Sequence, residues 1–137
     1  MRLLLDSNVW IAARRQDYPQ HAAAAAIVAD DRLRLAALDL TLYEVANNAI
    51  VKRRSTAESA TILDMIDRRC DGAIHRAAPD LLAVAAAIAS EHRITVYDAA
   101  YVAAARRNDW TLVSLDERDL VGPGLAIAPG DVPLASG

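Results

Sequence analysis

Four acidic residues, each beside an apolar segment, are the residues of this sequence best suited to chemistry: Asp6, Glu44, Asp98 and Asp116. An ionised carboxylate without a partner is costly to place next to apolar groups. A cation shared between several carboxylates removes that cost. The four acids together therefore predict a metal site.

The ligand type indicates which metal and which reaction. Hard divalent ions such as Mg²⁺ and Mn²⁺ prefer oxygen ligands, and three or four convergent carboxylates suit them. An ion held in this way can generate a hydroxide nucleophile near neutral pH and stabilise charge on a phosphodiester oxygen. A second ion can stabilise the leaving oxygen. Phosphodiester hydrolysis is the reaction class that these acids favour.

Each acid also has a purely structural explanation. Asp6 and Asp98 can be helix N-caps, Thr41 with Glu44 fits a capping box, and Asp116 can shape a turn. Taken singly, most of the four are better explained as caps. Their conjunction beside apolar segments is what favours the metal site.

The elements that must position these acids can be read from hydrophobic periodicity. Strands are predicted at residues 3–5, 34–38, near 74 and at 111–114, with a final edge strand at 125–127; helices are predicted from residue 9, over 21–31, 42–50 and 55–71, after Pro79, and over 98–106. Short strands alternating with helices predict an α/β fold, a three-layer α/β/α sandwich with a mainly parallel sheet of four to five strands. Sites in such sheets form beyond the carboxyl ends of the strands. Asp6 and Asp116 each follow a predicted strand, so we expect them at the same edge.

The length and composition of the chain indicate how many domains it forms and in which cellular compartment it lies. The chain has 137 residues, enough for one domain over 1–137 with its own core, and the proline- and glycine-rich end predicts a loosely ordered tail from about residue 128. No apolar run approaches the roughly 18 residues of a membrane span, and Asp6 interrupts the first apolar run too early for a signal peptide. Cys70 is the only cysteine. These features predict a cytoplasmic protein without a membrane segment.

The net charge of −3 does not favour nucleic-acid binding, because such proteins usually have a basic excess. A concentration of acids at a metal site would explain part of this balance. The basic residues that can contact RNA phosphates are Arg14, Arg15, Lys52, Arg53 and Arg54. An explanation at least as good is that cations favour helix C-termini and surfaces.

The remaining reactive or aromatic residues give weaker signals. Trp10, Tyr43, Tyr97 and Tyr101 can stack on bases, but packing is the better explanation for aromatic residues beside apolar helical stripes. The three histidines are isolated and lack zinc-site spacing, and no phosphate-binding glycine loop is present. Nucleotide-cofactor chemistry has no support.

The sequence resembles the PIN-domain ribonucleases, and within them the VapC-type toxins of bacterial toxin–antitoxin pairs. The resemblance covers nearly the whole chain and rests on residues 4–8, 44–47, 97–103 and 112–116. Residues 97–103, Tyr-Asp-Ala-Ala-Tyr-Val-Ala, are the most specific of these segments. The resemblance implies an endoribonuclease that uses Mg²⁺ or Mn²⁺, cleaves RNA and is neutralised by a cognate antitoxin.

Carried across residue by residue, the resemblance implies that Asp6 and Asp98 bind the ion and that Glu44 and Asp116 complete the site directly or through water. It gives Ser7, Asn8 and Ser114 a supporting role, in which they hold carboxylates or waters in place. Asp119, one helical turn beyond Asp116, can supply a further ligand or face solvent beside Arg118.

The resemblance also implies a homodimer. The apolar stripe of Ile62, Met65 and Ile66 can serve as an interface, but core packing explains this stripe equally well.

Two other functions are compatible with part of this pattern. One is a PIN-like module that no longer cleaves RNA and only binds a protein partner; retention of all four acids argues against it. The other is a phosphatase with a related sheet, since Asp6 follows the first strand. Phosphatases resembling haloacid dehalogenases have a second aspartate two residues after the nucleophile, where this chain has Asn8.

Overall fold

The computed structural model describes residues 2–134, and within them the chain forms a four-stranded sheet flanked by helices. The strands are β1 (Arg2–Leu5), β2 (Arg34–Leu38), β3 (Ile74–His75) and β4 (Thr111–Val113). The helices are α1 (Ser7–Arg14), α2 (His21–Ala29), α3 (Asp39–Arg53), α4 (Thr56–Cys70), α5 (Pro79–His92) and α6 (Val96–Asn108). A π-helical turn, Glu117–Val121, and a short 3₁₀ helix, Pro129–Asp131, follow β4.

All strand pairs in the sheet are parallel, and the strand order is β3-β2-β1-β4. β1 is therefore central. The sheet has the four parallel strands that the sequence predicts.

The predicted final edge strand at residues 125–127 is wrong. Only Ile127 pairs with β4, as an isolated parallel bridge to Val113. The N–H groups of Leu125 and Ala126 donate instead to the carbonyl of Leu120, at 2.9 and 3.1 Å. These two groups are thus unavailable for pairing with the sheet.

Alternate residues along the strands pack on opposite faces of the sheet, as the period-two geometry of strands requires. Leu3 and Leu5 belong to one core, with residues of α1, α2, α3 and α4. Leu4 belongs to the other, with residues of α5 and α6. The predicted three-layer α/β/α sandwich is confirmed, with helices covering both faces of the sheet.

The stripe on α4 packs inward. Ile62 and Ile66 are buried in the first core, and Met65 packs against it. Of the two roles considered for this stripe, the structure therefore shows core packing.

The chain after residue 128 contributes to the packed domain. Pro129 begins the 3₁₀ helix and is buried, and Val132 belongs to the first core. The last part of the predicted loose tail, residues 135–137, lies outside the described residues. Among residues 2–134 no helix has the length and apolar character needed to span a membrane.

Candidate metal centre

The carboxyl ends of the two neighbouring strands β1 and β4 form the floor of the candidate site. Leu5 lies opposite Val113 in the parallel register. The backbone N–H of Asp6 continues this pairing, donating to the carbonyl of Val113 at 2.9 Å. Asp6 on one strand end and Ser114 on the other are therefore neighbours.

Three side chains hold the carboxylate of Asp6, which is only 5% exposed. The hydroxyl of Ser114 donates to its Oδ2 at 2.8 Å, and the Asn8 amide donates to the same oxygen at 3.3 Å. The Ser7 hydroxyl lies 3.4 Å from Oδ1. Asn8 is itself fixed, because its Oδ1 accepts a hydrogen bond from the N–H of Leu115 at 3.1 Å.

The environment of Asp6 disfavours its ionised form. The pKa of Asp6 is raised to about 7: burial is the main cause, the Ser114 hydrogen bond opposes it, and the neighbouring carboxylates of Glu44 and Asp98 add to it. Although Asp6 is the N-cap residue of α1, its side chain makes no capping hydrogen bond. Helix capping therefore does not explain why a carboxylate is buried here.

A second group of acids lies beside Asp6. One carboxylate oxygen from each of Asp98, Asp116 and Asp119 lies within 4.8 Å of the other two. Burial raises the pKa of Asp98, and the charges of Asp116, Asp119 and Glu44 raise it further. Asp98 thus interacts electrostatically with every other acid of the site.

Local structure positions this group. Asp98 lies in the first turn of α6, whose N-cap is Thr95, and its own N–H donates to the Thr95 hydroxyl at 3.1 Å. The expectation that Asp98 could be the N-cap is wrong for that reason. Asp116 begins the π-helical turn, and its Oδ1 accepts from the N–H of Asp119 at 3.0 Å. The turn that Asp116 shapes brings Asp119 back towards the site.

Asp119 also pairs with Arg118, whose guanidinium contacts both of its carboxylate oxygens at 3.1 and 3.2 Å. The Arg118 side chain is 89% exposed. Ion pairs at such exposed positions contribute little free energy. This pair is therefore a weak competitor for a divalent cation.

Glu44 approaches the site from α3, which begins directly after β2. Its Oε1 accepts a hydrogen bond from the phenol of Tyr101 at 2.7 Å. The predicted capping box is wrong, because Thr41 is the third residue of α3 and its hydroxyl accepts from the N–H of Leu38. Glu44 is therefore free of a capping role.

The structure brings together all four acids singled out in the sequence, with Asp119 as a fifth. Tyr101 is the site residue that sequence reasoning missed, because a buried aromatic side chain was explained by packing. Its spacing was the available signal: Tyr101 follows Asp98 by three residues, which places both on one helix face.

The basic residues considered for RNA binding lie elsewhere. Arg14 and Arg53 both pair with Glu58, at 2.9 and 3.5 Å, and Arg15 pairs with Asp17 at 2.9 Å. They lie near the C-terminal ends of α1 and α3, whereas Asp6 and Glu44 lie towards the N-terminal ends. With a rise of about 1.5 Å per residue, Arg14 is roughly 12 Å along the helix from Asp6.

The donor set fits a hard divalent ion. It consists of carboxylate oxygens, with hydroxyl and amide groups around them and no nearby thiol or imidazole among the contacts described above. The raised pKa values of Asp6 and Asp98 show that the acids repel one another and are poorly solvated. A bound cation would relieve both effects.

Comparison with known proteins identifies the family. The family model described as "PIN domain" matches residues 3–121. No curated protein sequence matches the chain.

Solved structures share the fold. A toxin–antitoxin complex from Klebsiella pneumoniae is 19% identical with a TM-score of 0.70, and the match covers 93% of this chain and 97% of that chain. FitAcB from Neisseria gonorrhoeae is 18% identical with a TM-score of 0.70, over 95% and 99%. VapC20 from Mycobacterium tuberculosis, a Sarcin-Ricin loop cleaving toxin, is 16% identical with a TM-score of 0.68, over 89% and 95%.

Proposed function

Since this chain belongs to the PIN domain family, we propose that it is an endoribonuclease that requires Mg²⁺ or Mn²⁺ and acts as the VapC-like toxin of a toxin–antitoxin pair. The observation that carries the proposal is the convergence of Asp6, Glu44, Asp98 and the Asp116–Asp119 turn at one edge of the sheet. The toxin structures that share the fold support the same assignment.

Each residue has a distinct part in this proposal. Asp98, Asp116 and Asp119 would hold the ion with Asp6, and Glu44 would complete the site directly or through water. Ser114 and Asn8 fix the orientation of the Asp6 carboxylate before any ligand arrives, which reduces the cost of reorganisation. When bound, the ion supplies a hydroxide nucleophile near neutral pH and offsets charge on the phosphodiester.

The acids also explain why the protein should be inactive without metal. Five carboxylates at one edge repel the phosphates of RNA, and the five basic residues considered above do not lie among them. Because a bound divalent ion offsets part of this negative charge and offers the phosphate a positive centre, RNA binding and hydrolysis should depend on it together.

This dependence gives a direct test. We expect the purified protein to cleave RNA with millimolar Mg²⁺ or Mn²⁺ and to lose at least about 10³-fold in rate with excess EDTA. Gel analysis of a defined RNA measures the rate. Since water is the nucleophile, the products should lack 2′,3′-cyclic phosphate ends, which contaminating ribonucleases that use the 2′-hydroxyl would leave. Cleavage that persists in EDTA would argue against the proposal.

We propose that the antitoxin binds a groove between α3 and α4. The groove has a volume of about 810 Å³ and is lined by apolar side chains with two acids: Leu42, Tyr43, Ala46, Ile50, Leu63, Ile74, Asp39 and Asp67, besides Asn47. Tyr43 is 77% exposed. Apolar walls with two acids among the lining residues suit an apolar segment that carries Arg or Lys. The homodimer and the cytoplasmic location stay predictions.

Two adjacent substitutions test this surface. Ile50 lines the groove, whereas the next residue, Val51, is 60% exposed and does not. Ile50→Asp should weaken binding of the cognate antitoxin by at least about tenfold, and Val51→Asp should not. Both variants should cleave RNA at the wild-type rate. Equal effects of the two substitutions on calorimetric affinity would place the antitoxin elsewhere.

A further inference from the structure

Tyr101 joins the candidate metal centre to the buried part of the sheet. Its side chain is 1% exposed, and its phenol oxygen lies between Glu44 and Thr41. The distance to Glu44 Oε1 is 2.7 Å and the distance to the Thr41 hydroxyl is 2.8 Å. A phenol in an apolar core needs a polar partner, and here one of the two partners is a carboxylate of the site.

The groups at the two ends of this hydrogen-bonded chain determine which atom donates in each bond. The N–H of Leu38, at the end of β2, can only donate, and it donates to Thr41 Oγ1 at 3.1 Å. The carboxylate of Glu44 can only accept when ionised. The Tyr101 proton therefore goes to Glu44, and the Thr41 proton goes to the oxygen of Tyr101. Leu38, Thr41 and Tyr101 form one chain of donors that ends on Glu44.

This chain of donors is rigid. Leu38 and Thr41 are fully buried, and each of the four residues belongs to a strand or helix. Burial raises the pKa of Tyr101 well above its ordinary value of 10, so the phenol keeps its proton at neutral pH. A hydrogen bond from a neutral donor to a carboxylate is stronger than one between neutral groups.

We propose that Tyr101 is a positioning residue that holds Glu44 Oε1 and so orients the carboxylate towards the metal centre. The inference rests on the proposed metal site. The phenol occupies one carboxylate oxygen, and a carboxylate can accept several bonds, so Glu44 keeps an oxygen for the ion or for a water bound to it. Partners that orient metal-binding side chains typically contribute about 10- to 100-fold to metal affinity.

A purely structural role for Tyr101 makes a different prediction. If the phenol only ties α6 to α3, its loss should lower the stability of the protein without acting through Glu44. A double-mutant cycle separates the two roles, because it measures whether one residue acts through the other.

The experiment measures Mn²⁺ affinity by isothermal titration calorimetry for wild type, Tyr101→Phe, Glu44→Gln and the double variant. We expect Tyr101→Phe to weaken binding by about tenfold and to add no further loss when Glu44 is already Gln. Tyr97→Phe is the matched control, because Tyr97 lies one turn earlier on the same helix and is 64% exposed. It should bind Mn²⁺ like wild type.

Variants of Thr41 test the same chain of donors should Tyr101→Phe fail to fold. Thr41→Val removes the donor to Tyr101 and should weaken Mn²⁺ binding, whereas Thr41→Ser keeps the hydroxyl and should restore it. The inference would be overturned if Tyr101→Phe weakened Mn²⁺ binding by the same factor in the wild-type and the Glu44→Gln backgrounds. Unchanged Mn²⁺ affinity in Tyr101→Phe would also overturn it. If wild type binds Mn²⁺ and Tyr101→Phe binds it equally well, only this inference fails. If wild type does not bind Mn²⁺, the proposed metal site fails with it.

Discussion

Replacing Asp98 by Asn should reduce metal-dependent RNA cleavage by at least about 10³-fold while the chain remains folded. Asp98 is the acid that interacts with both parts of the site. Its carboxylate lies with those of Asp116 and Asp119, and its charge also raises the pKa of Asp6. Asparagine keeps the shape but loses the charge and one acceptor oxygen, so the ion loses a central ligand.

Asp64→Asn is the matched control for this substitution. Asp64 lies on α4 with its side chain 64% exposed and paired with Arg68, and its replacement removes the same unit of charge. It should leave the cleavage rate unchanged. Circular dichroism and thermal melting of both variants check the fold. Full activity in a folded Asp98→Asn variant would contradict the assignment of the site.

Without metal, the proton on Asp6 should stabilise the folded protein at low pH, and this contribution should be lost as the pH rises from about 4 past 7. Burial raises the pKa of Asp6 from 3.8 to about 7, so the folded chain binds this proton more tightly than the unfolded chain does. The stability linked to the proton is therefore complete below pH 3.8 and is lost as the pH passes the folded value. Mn²⁺ should reverse the loss, because it replaces the proton.

Asp6→Asn separates this effect from the other acids of the chain. Near pH 8 without metal, the variant should be more stable than wild type by about 1–3 kcal/mol, because no charge is buried. It should also lose the stabilisation by Mn²⁺. Urea denaturation with EDTA or Mn²⁺ measures both effects, and Asp64→Asn controls for net charge. An Asp6→Asn variant whose metal-free stability changes with pH in the same way as that of wild type would contradict the interpretation of Asp6.

Part of the site was predictable because parallel strands impose their geometry. Asp6 and Asp116 each follow an apolar strand, and the carboxyl ends of parallel strands lie at one edge. Strand residues such as Leu3, Leu4 and Leu5 are apolar on both faces, which is typical of a sheet covered by helices on both sides. The fold and the first acids followed from these local patterns.

Other features depend on geometry that local patterns leave open. The position of Asp119 one helical turn beyond Asp116 made it a candidate ligand, but the sequence did not decide between the site and solvent. It joins the site through a π-helical turn, in which the N–H of Val121 donates to the carbonyl of Asp116 at 2.9 Å. That spacing of five residues differs from the ordinary helical spacing that the sequence suggests. The contact of Tyr101 with Glu44 depends on how α6 and α3 pack, and these residues are 57 positions apart.

Arg14 and Arg15 show that residues close together in the sequence need not be close together in the structure. Arg14 and Arg15, two of the residues considered for contact with RNA phosphates, follow Asp6 closely in sequence. The intervening helix α1 instead carries them away from the strand ends, and both pair with acids there. Proximity in sequence was a poor guide because a helix converts eight residues into about 12 Å of separation.

We propose that residues far apart in the chain form one site for a hard divalent ion. A crystal of the protein soaked in Mn²⁺, with diffraction recorded at the manganese absorption edge, tests it most directly. We predict an anomalous peak among the carboxylates of Asp6, Asp98 and Asp116 that is absent from crystals of the Asp98→Asn variant. A peak only at other positions, or none at these carboxylates in wild type, would contradict the account.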